Sequence, residues 1–174
     1  LEPMNCTARV ADGKVDIWAP TQVPQLARAA AAKVAGVDVE QVTLHQTLLG
    51  GGFGRRLEVD SVAQAVRIAM ATQGKPVQLI WSREEDTQHD FYRPMNVALL
   101  RAGLDKNKAV ISLRIQSAGQ AIGPHFMHRH FPAMSDSDAP DKATAEGLCD
   151  IPYGFGNQKM SHAESPMGVP VGFW

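Results

Sequence analysis

Apolar and polar side chains alternate from Cys6 to Val10 and again from Val15 to Ile17, with Asp12-Gly13 between the two runs. A period of two puts every second side chain on one face, and Asp-Gly tolerates the positive φ of a tight turn. Residues 5–19 are therefore predicted as a β-hairpin. The period then changes. From Pro24 to about Val34 the chain is Ala-rich, with Leu26, Ala29, Ala30 and Val34 as its apolar positions. This predicts a helix with Thr21 as its cap, Pro24 in the first turn and Gly36 as its stop. Val42 to Leu49 reads as a strand that runs directly into Gly50-Gly51-Gly52-Phe53-Gly54. Beyond that loop Val59, Val62, Ala63, Val66, Ala69 and Met70 recur at spacings of three and four, with Asp60, Gln64 and Arg67 on the other side. That is the period of a second, amphipathic helix, ended by Gly74.

Val77, Leu79 and Trp81 alternate as a further strand, with Glu84-Glu85-Asp86 as its solvated end or as an acid/base cluster. Residues 95–118 read as two strands around an Asp105-Lys106-Asn107-Lys108 turn, with Ala109, Ile111, Leu113 and Ile115 on one face of the second. The order β-β-α-β-α-β-β-β mixes hairpins with helical crossovers. It predicts an α+β fold: a mixed β-sheet with two packed helices, β-hairpins and an extended C-terminal tail. Residues 132–147 are poor in large apolar side chains and are expected to form a mobile loop, and the recurring Pro and Gly after Cys149 exclude a long helix there.

Composition narrows the function classes. The chain has 174 residues, 44% of them apolar and 20% charged, enough for a sizeable core in one compact domain. Seventeen Lys and Arg against 18 Asp and Glu leave a net charge of −1, so there is no global electrostatic reason to expect a nucleic-acid partner. No apolar run approaches the roughly 18–20 residues of a membrane span. Leu1-Glu2-Pro3-Met4 has neither a basic segment nor a hydrophobic signal core, and a start without Met together with the apolar stop at Gly172-Phe173-Trp174 predicts a piece of a longer protein or a processed product. Cys6 and Cys149 lack C-x-x-C spacing, which argues against a disulfide scaffold, a zinc ribbon or an iron–sulfur site in this chain.

The glycine loop carries the strongest chemical signal. Three consecutive glycines cost backbone entropy and need a reason. One is close approach of main-chain N–H groups to a ligand before a helix N-terminus; the other is a tight turn with no ligand. The nucleotide patterns fail: Arg55 stands where G-x-G-x-x-G needs glycine, and Gly74-Lys75 is followed by Pro76 rather than Ser or Thr. Arg55 and Arg56 read either as an anion clamp or as solvated surface. His125, His128 and His130 offer imidazoles without a nearby acidic or Cys ligand, with His128 and His130 placed on one strand face.

Four segments occur in a fixed order: LEPMN at 1–5, WAPTQ at 18–22, LLGGGFGRR at 48–56 and KPVQLIWSREED at 75–86. With AESPMGVPVGFW at the end, they resemble the molybdopterin-binding large subunit of the molybdenum hydroxylases, the xanthine dehydrogenase and aldehyde oxidase family. The likeness is greatest to its bacterial isoquinoline 1-oxidoreductase β-subunit and aldehyde dehydrogenase branch. The resemblance covers about residues 1–122 and 163–174. It implies a cofactor-binding core over 1–122 and a loop-rich extension over 123–174. It also implies that Gln22 donates a hydrogen bond to an oxo ligand of molybdenum and that Gly51, Gly52, Phe53, Gly54 and Arg55 contact the cofactor. Arg55 and Arg56 depart from the Gly-Lys of the xanthine enzymes, and the substrate-binding glutamate of those enzymes falls on Leu57, or on Glu58 with a one-residue shift. An apolar or heteroaromatic substrate is implied rather than a purine.

The implied reaction is hydroxylation of a heteroaromatic or aldehyde substrate with oxygen from water, using molybdenum–molybdopterin in its cytosine dinucleotide form. Electrons leave through iron–sulfur clusters on a small 2Fe–2S subunit, since this chain cannot ligate one. The implied partners are that subunit and the remaining domains of the same large subunit, in the bacterial cytoplasm or periplasm. The chain alone is expected to be inactive. The competing readings are a non-catalytic interaction module, and an anion- or nucleotide-binding domain that uses the glycine loop with Arg55 and Arg56.

Overall fold

The computed structural model of the chain describes residues 2–134, 141–165 and 167–173. The first hairpin forms as its alternation predicts. β1 (Asn5–Ala11) and β2 (Lys14–Ala19) run antiparallel, and Asp12 and Gly13 take φ of 50° and 72°, the left-handed pair that a two-residue turn of matching twist requires. β3 (Val42–Gln46) adds in parallel to β2, and β4 (Val77–Ile80) adds antiparallel to β1, which gives the order β3-β2-β1-β4.

The connections are α1 (Pro24–Ala35), between β2 and β3, and α2 (Asp60–Ala69), between β3 and β4. Both helices lay small or branched residues on the sheet. Ala27 and Ala31 of α1 and Val62, Ala65 and Val66 of α2 bury against Cys6, Ala8, Val15 and Ile17. Fully burying Val15, Ile17 and Val66 stabilises the fold by about 1.5–3 kcal/mol for each side chain. The many alanines let α1 lie close to the sheet.

Burial has a chemical consequence for Cys6. With the charged form desolvated, its thiol is pushed up to about 12 from an ordinary 9.0, while Cys149 is exposed. A folded pKa above the unfolded value means that Cys6 supports stability below about pH 9 and withdraws that support as pH rises toward 12. At pH 8 a thiol reagent is expected to modify one cysteine, Cys149, in the folded chain and both in urea. Rapid modification of Cys6 without unfolding would contradict the burial argument.

Four local readings change in the structure. Thr21 does not cap α1. Val23 holds the N-cap position, and Thr21 Oγ1 accepts from the Val23 N–H at 3.0 Å one step upstream. β3 stops at Gln46, so Thr47–Leu49 enter the glycine loop as irregular chain. The acidic cluster is the first turn of a helix, α3 (Arg83–Gln88), where the Ser82 hydroxyl accepts from Glu85 N–H at 3.1 Å. Ser82-Arg83-Glu84-Glu85 is the capping-box spacing, and the helix dipole favours acids there. The His-rich segment is also helical rather than a strand: α4 (Ile122–His130) ends with His128, Arg129 and His130 in its last turn. Two residues apart on a helix, His128 and His130 do not share a face. Among the described residues no group of three or more His, Cys, Asp or Glu is placed to hold a metal ion.

The predicted single mixed sheet is two sheets. β5 (Asn96–Leu104) and β6 (Val110–Gly119) form the second hairpin, whose turn is pinned by Asp105 Oδ1 accepting from Asn107 and Ala109 N–H at 2.8 and 2.9 Å. β7 (Asn157–Glu164), from the extended tail, adds in parallel to β6. Of the predicted mobile loop, Pro132–Met134 form a short 3-10 turn and Lys142–Ala145 one helical turn, α5; residues 135–140 lie outside the described residues. The chain divides into two compact units, one of residues 2–90 with Phe173 and one of Phe91–Gly172. The division falls between Asp90 and Phe91. Among the described residues no helix is long and apolar enough to cross a membrane.

Candidate functional site

The end of β2 and the glycine loop, about 30 residues apart in sequence, meet in the first unit. Gln22 Oε1 accepts from the Gly54 N–H at 3.0 Å. Because a backbone N–H can only donate, this contact fixes the oxygen end of the amide on the loop and leaves the Nε2 end as a donor. The fit requires glycine at 52: a Cβ there would lie 2.7 Å from both Cδ and Oε1 of Gln22.

The loop follows a path that most residues avoid. Gly51, Phe53 and Gly54 have φ of 98°, 49° and 85°, and Phe53 is 70% exposed. A large side chain with positive φ is uncommon and concentrates at functional sites. Hydrogen bonding within the loop is selective. Gly50 N–H donates to Glu2 Oε2 at 3.0 Å, Gly54 N–H to Gln22, and Arg55 N–H to Gly52 O at 2.9 Å. The N–H groups of Gly51, Gly52 and Phe53 have no acceptor among the described residues. Three successive main-chain donors, with the free end of the Gln22 amide beside them, suit an oxygen-rich or anionic group.

Arg55 and Arg56 are neither solvated surface nor a free clamp. Arg55, 3% exposed, makes a two-pronged contact with Asp60 (3.1 and 2.8 Å), and its Nε lies 2.8 Å from Asp90 Oδ1. The Trp81 ring lies beside the guanidinium at 5.5 Å. Burial works against this charge, but the hydrogen bond to Asp60 and the charges of Asp60, Asp90 and Asp86 outweigh it and raise the Arg55 pKa. Arg56 is 1% exposed and distributes its donors over the chain around it: Nε to Gly51 O (3.2 Å), Nη1 to Pro20 O (3.0 Å), and Nη2 to Glu2 Oε2 (2.9 Å) and Glu2 O (3.2 Å). Its pKa is lowered, by burial first, which Glu2 and Asp86 only partly offset.

The main chain of Arg56 completes the join. Its carbonyl accepts from the Gln22 N–H at 3.0 Å and from Thr21 Oγ1 at 3.3 Å, while Gln46 Nε2 holds Thr21 O at 2.9 Å. Glu2 N–H donates to Gly50 O at 2.9 Å. Residues 2, 20–22, 46 and 50–56 thus form one hydrogen-bonded frame with Arg56 at its centre. Sequence reasoning placed Gln22 and the loop but missed Arg56 and Glu2 as the parts that hold them together. Leu57 is half-buried after the loop, and Glu58, 4% exposed, is enclosed in the first unit.

The chain is similar to known proteins in sequence and fold. The family profile described as the molybdopterin cofactor-binding domain matches residues 1–129. The chain is 33% identical over 154 residues to the isoquinoline 1-oxidoreductase subunit beta of Brevundimonas diminuta, covering 87% of the chain and 20% of that protein. It is 38% identical over 118 residues to the membrane-bound aldehyde dehydrogenase (pyrroloquinoline-quinone) of Gluconacetobacter polyoxogenes, covering 68% of the chain and 15% of that protein. Among solved structures, quinoline 2-oxidoreductase from Pseudomonas putida 86 has the same fold over 69% of the chain and 16% of its own, with a TM-score of 0.58 and 19% identity. The chain spans about a fifth or less of the length of these relatives. With a profile match over most of its length and an α+β fold shared with the solved structures, the chain belongs to the molybdopterin cofactor-binding domain family of the molybdenum hydroxylases.

Proposed function

We propose that this chain is the molybdopterin-contacting part of an oxidoreductase that hydroxylates an N-heteroaromatic or aldehyde substrate with oxygen derived from water. The observation that carries the reading is the Gln22–Gly54 hydrogen bond beside three loop N–H groups that have no acceptor among the described residues, a donor array built from two distant segments. When bound, molybdenum–molybdopterin, in its cytosine dinucleotide form, supplies the redox chemistry and the activation of water. The protein's part is positioning. Gly51, Gly52 and Phe53 offer main-chain donors to the cofactor, and Gly54 anchors the Gln22 amide so that Nε2 is directed without a search among rotamers.

Arg55 contributes to that site by holding the loop, since its N–H donates to Gly52 O at 2.9 Å and its side chain is held by Asp60 and Asp90. The substrate contact falls to Leu57 rather than to Glu58, which is enclosed, and an apolar neighbour suits an apolar or heteroaromatic substrate. The remaining domains of the large subunit and a small iron–sulfur subunit complete the site and take the electrons. The chain supplies one wall and is inactive alone.

The test is Gln22→Ala in the complete subunit. Turnover is expected to fall about 10–100-fold, the range for a side chain that orients a metal-bound group, with molybdenum content retained. Unchanged turnover together with unchanged cofactor content would remove Gln22 from the site.

A further inference from the structure

The sheet of the second unit distributes its charge unevenly. Arg101 of β5 stands in register with Arg114 of β6, and Arg114 with Lys159 of β7. Residues in register share a face, so three cations form one rung, each about 4.8 Å from the next strand. The carboxylate of these strands, Glu164, is five positions beyond Lys159 and therefore on the opposite face. Like charges placed directly opposite repel one another, yet none of the three has an ion pair or hydrogen bond among the described residues.

The same rung borders a surface cavity of ≈ 480 Å³. Two positions on, the next rung of the same face is Gly103, Ser112 and Asn157. A Cβ at Gly103 would collide with Ser112 Oγ, so the glycine leaves room for a hydroxyl that itself has no partner among the described residues. The β5–β6 register slips at Gly103/Leu104, immediately beside the cations. Such irregularities re-aim side chains and recur beside binding sites.

We propose that this cavity binds a small anion of the diphosphate class, with Arg114 at its centre and Arg101 and Lys159 on either side. Two guanidinium forks and an ammonium match a group with several phosphoryl oxygens and about three negative charges, and Ser112 and Asn157 add neutral donors. The three cations are exposed along an open depression, so a ligand reaches them from solvent without displacing other side chains. Free diphosphate and the diphosphate of a nucleotide share this chemistry. The inference is independent of the cofactor reading of the first unit.

The experiment is calorimetric titration of the 174-residue chain, at constant ionic strength, with inorganic pyrophosphate and separately with ADP. Saturable binding at one site is expected. Arg114→Gln should weaken it about tenfold or more, as loss of a charge-assisted contact does, while Lys106→Gln, which removes the same charge from the β5–β6 turn, should leave it unchanged. Amide shifts should centre on residues 101, 112, 114 and 159. Tighter ADP binding identifies a nucleotide as the source, and equal affinity identifies the diphosphate moiety alone. Lack of saturation, equal losses in the two variants, or shifts confined to other residues would overturn the proposal.

Discussion

Arg56→Ala is expected to destabilise the first unit by about 3 kcal/mol, far more than an arginine in a surface Arg-Arg pair would suggest. The side chain is 1% exposed and donates to Gly51 O, Pro20 O, Glu2 O and the Glu2 carboxylate. Truncation strands those acceptors at once. Part of the loss is recovered because Glu2 is 38% exposed and can return to water, which keeps the figure below that of a fully enclosed ion pair. Arg56→Lys should recover roughly half, since one ammonium cannot reach Pro20, Gly51 and Glu2 together. Urea unfolding followed by the fluorescence of Trp18 and Trp81, with hydrogen exchange at Gly50, measures both variants. A loss under about 1 kcal/mol for Arg56→Ala would mean that the frame does not depend on this side chain.

This role explains which parts of the site were legible in the sequence. The β1–β2 hairpin and α2 depend on short-range pattern, and alternation around Asp12-Gly13 or apolar spacing of three and four identifies them directly. α3 was also written locally, in the Ser82–Glu85 capping spacing, but its acids drew attention as possible chemistry. The second sheet is different. A strand pattern names no partner, and β7, with Asn157, Gln158, Lys159 and Ser161 exposed, has little apolar alternation to betray it. The function of Arg56 lay further out of reach, because its acceptors come from residues 2, 20 and 51 and only folding brings them together. The same long range hid Glu2. The family resemblance alone points to Gln22, while the glycine run announces a steric demand without saying which atoms impose it.

Those atoms permit a substitution that separates positioning from stability. Gly52→Ala should change unfolding free energy by less than about 1 kcal/mol yet lower turnover of the complete subunit by about 10²-fold. Gly52 is not among the residues of positive φ, so its backbone accepts alanine. The new methyl instead meets the end of Gln22, 2.7 Å from Cδ and Oε1. Gln22 is exposed and flexible, so it swings away at small cost. In doing so it releases the Gly54 N–H and loses the direction of its free amide end. Faster hydrogen exchange at Gly54, with exchange at Gly50 unchanged, would report that displacement in the 174-residue chain without any cofactor. Gln22→Ala in the same background should then add little further loss of turnover, because both changes remove one interaction. Full additivity of the two, or normal turnover with Gly54 deprotected, would show that Gln22 acts independently of the loop.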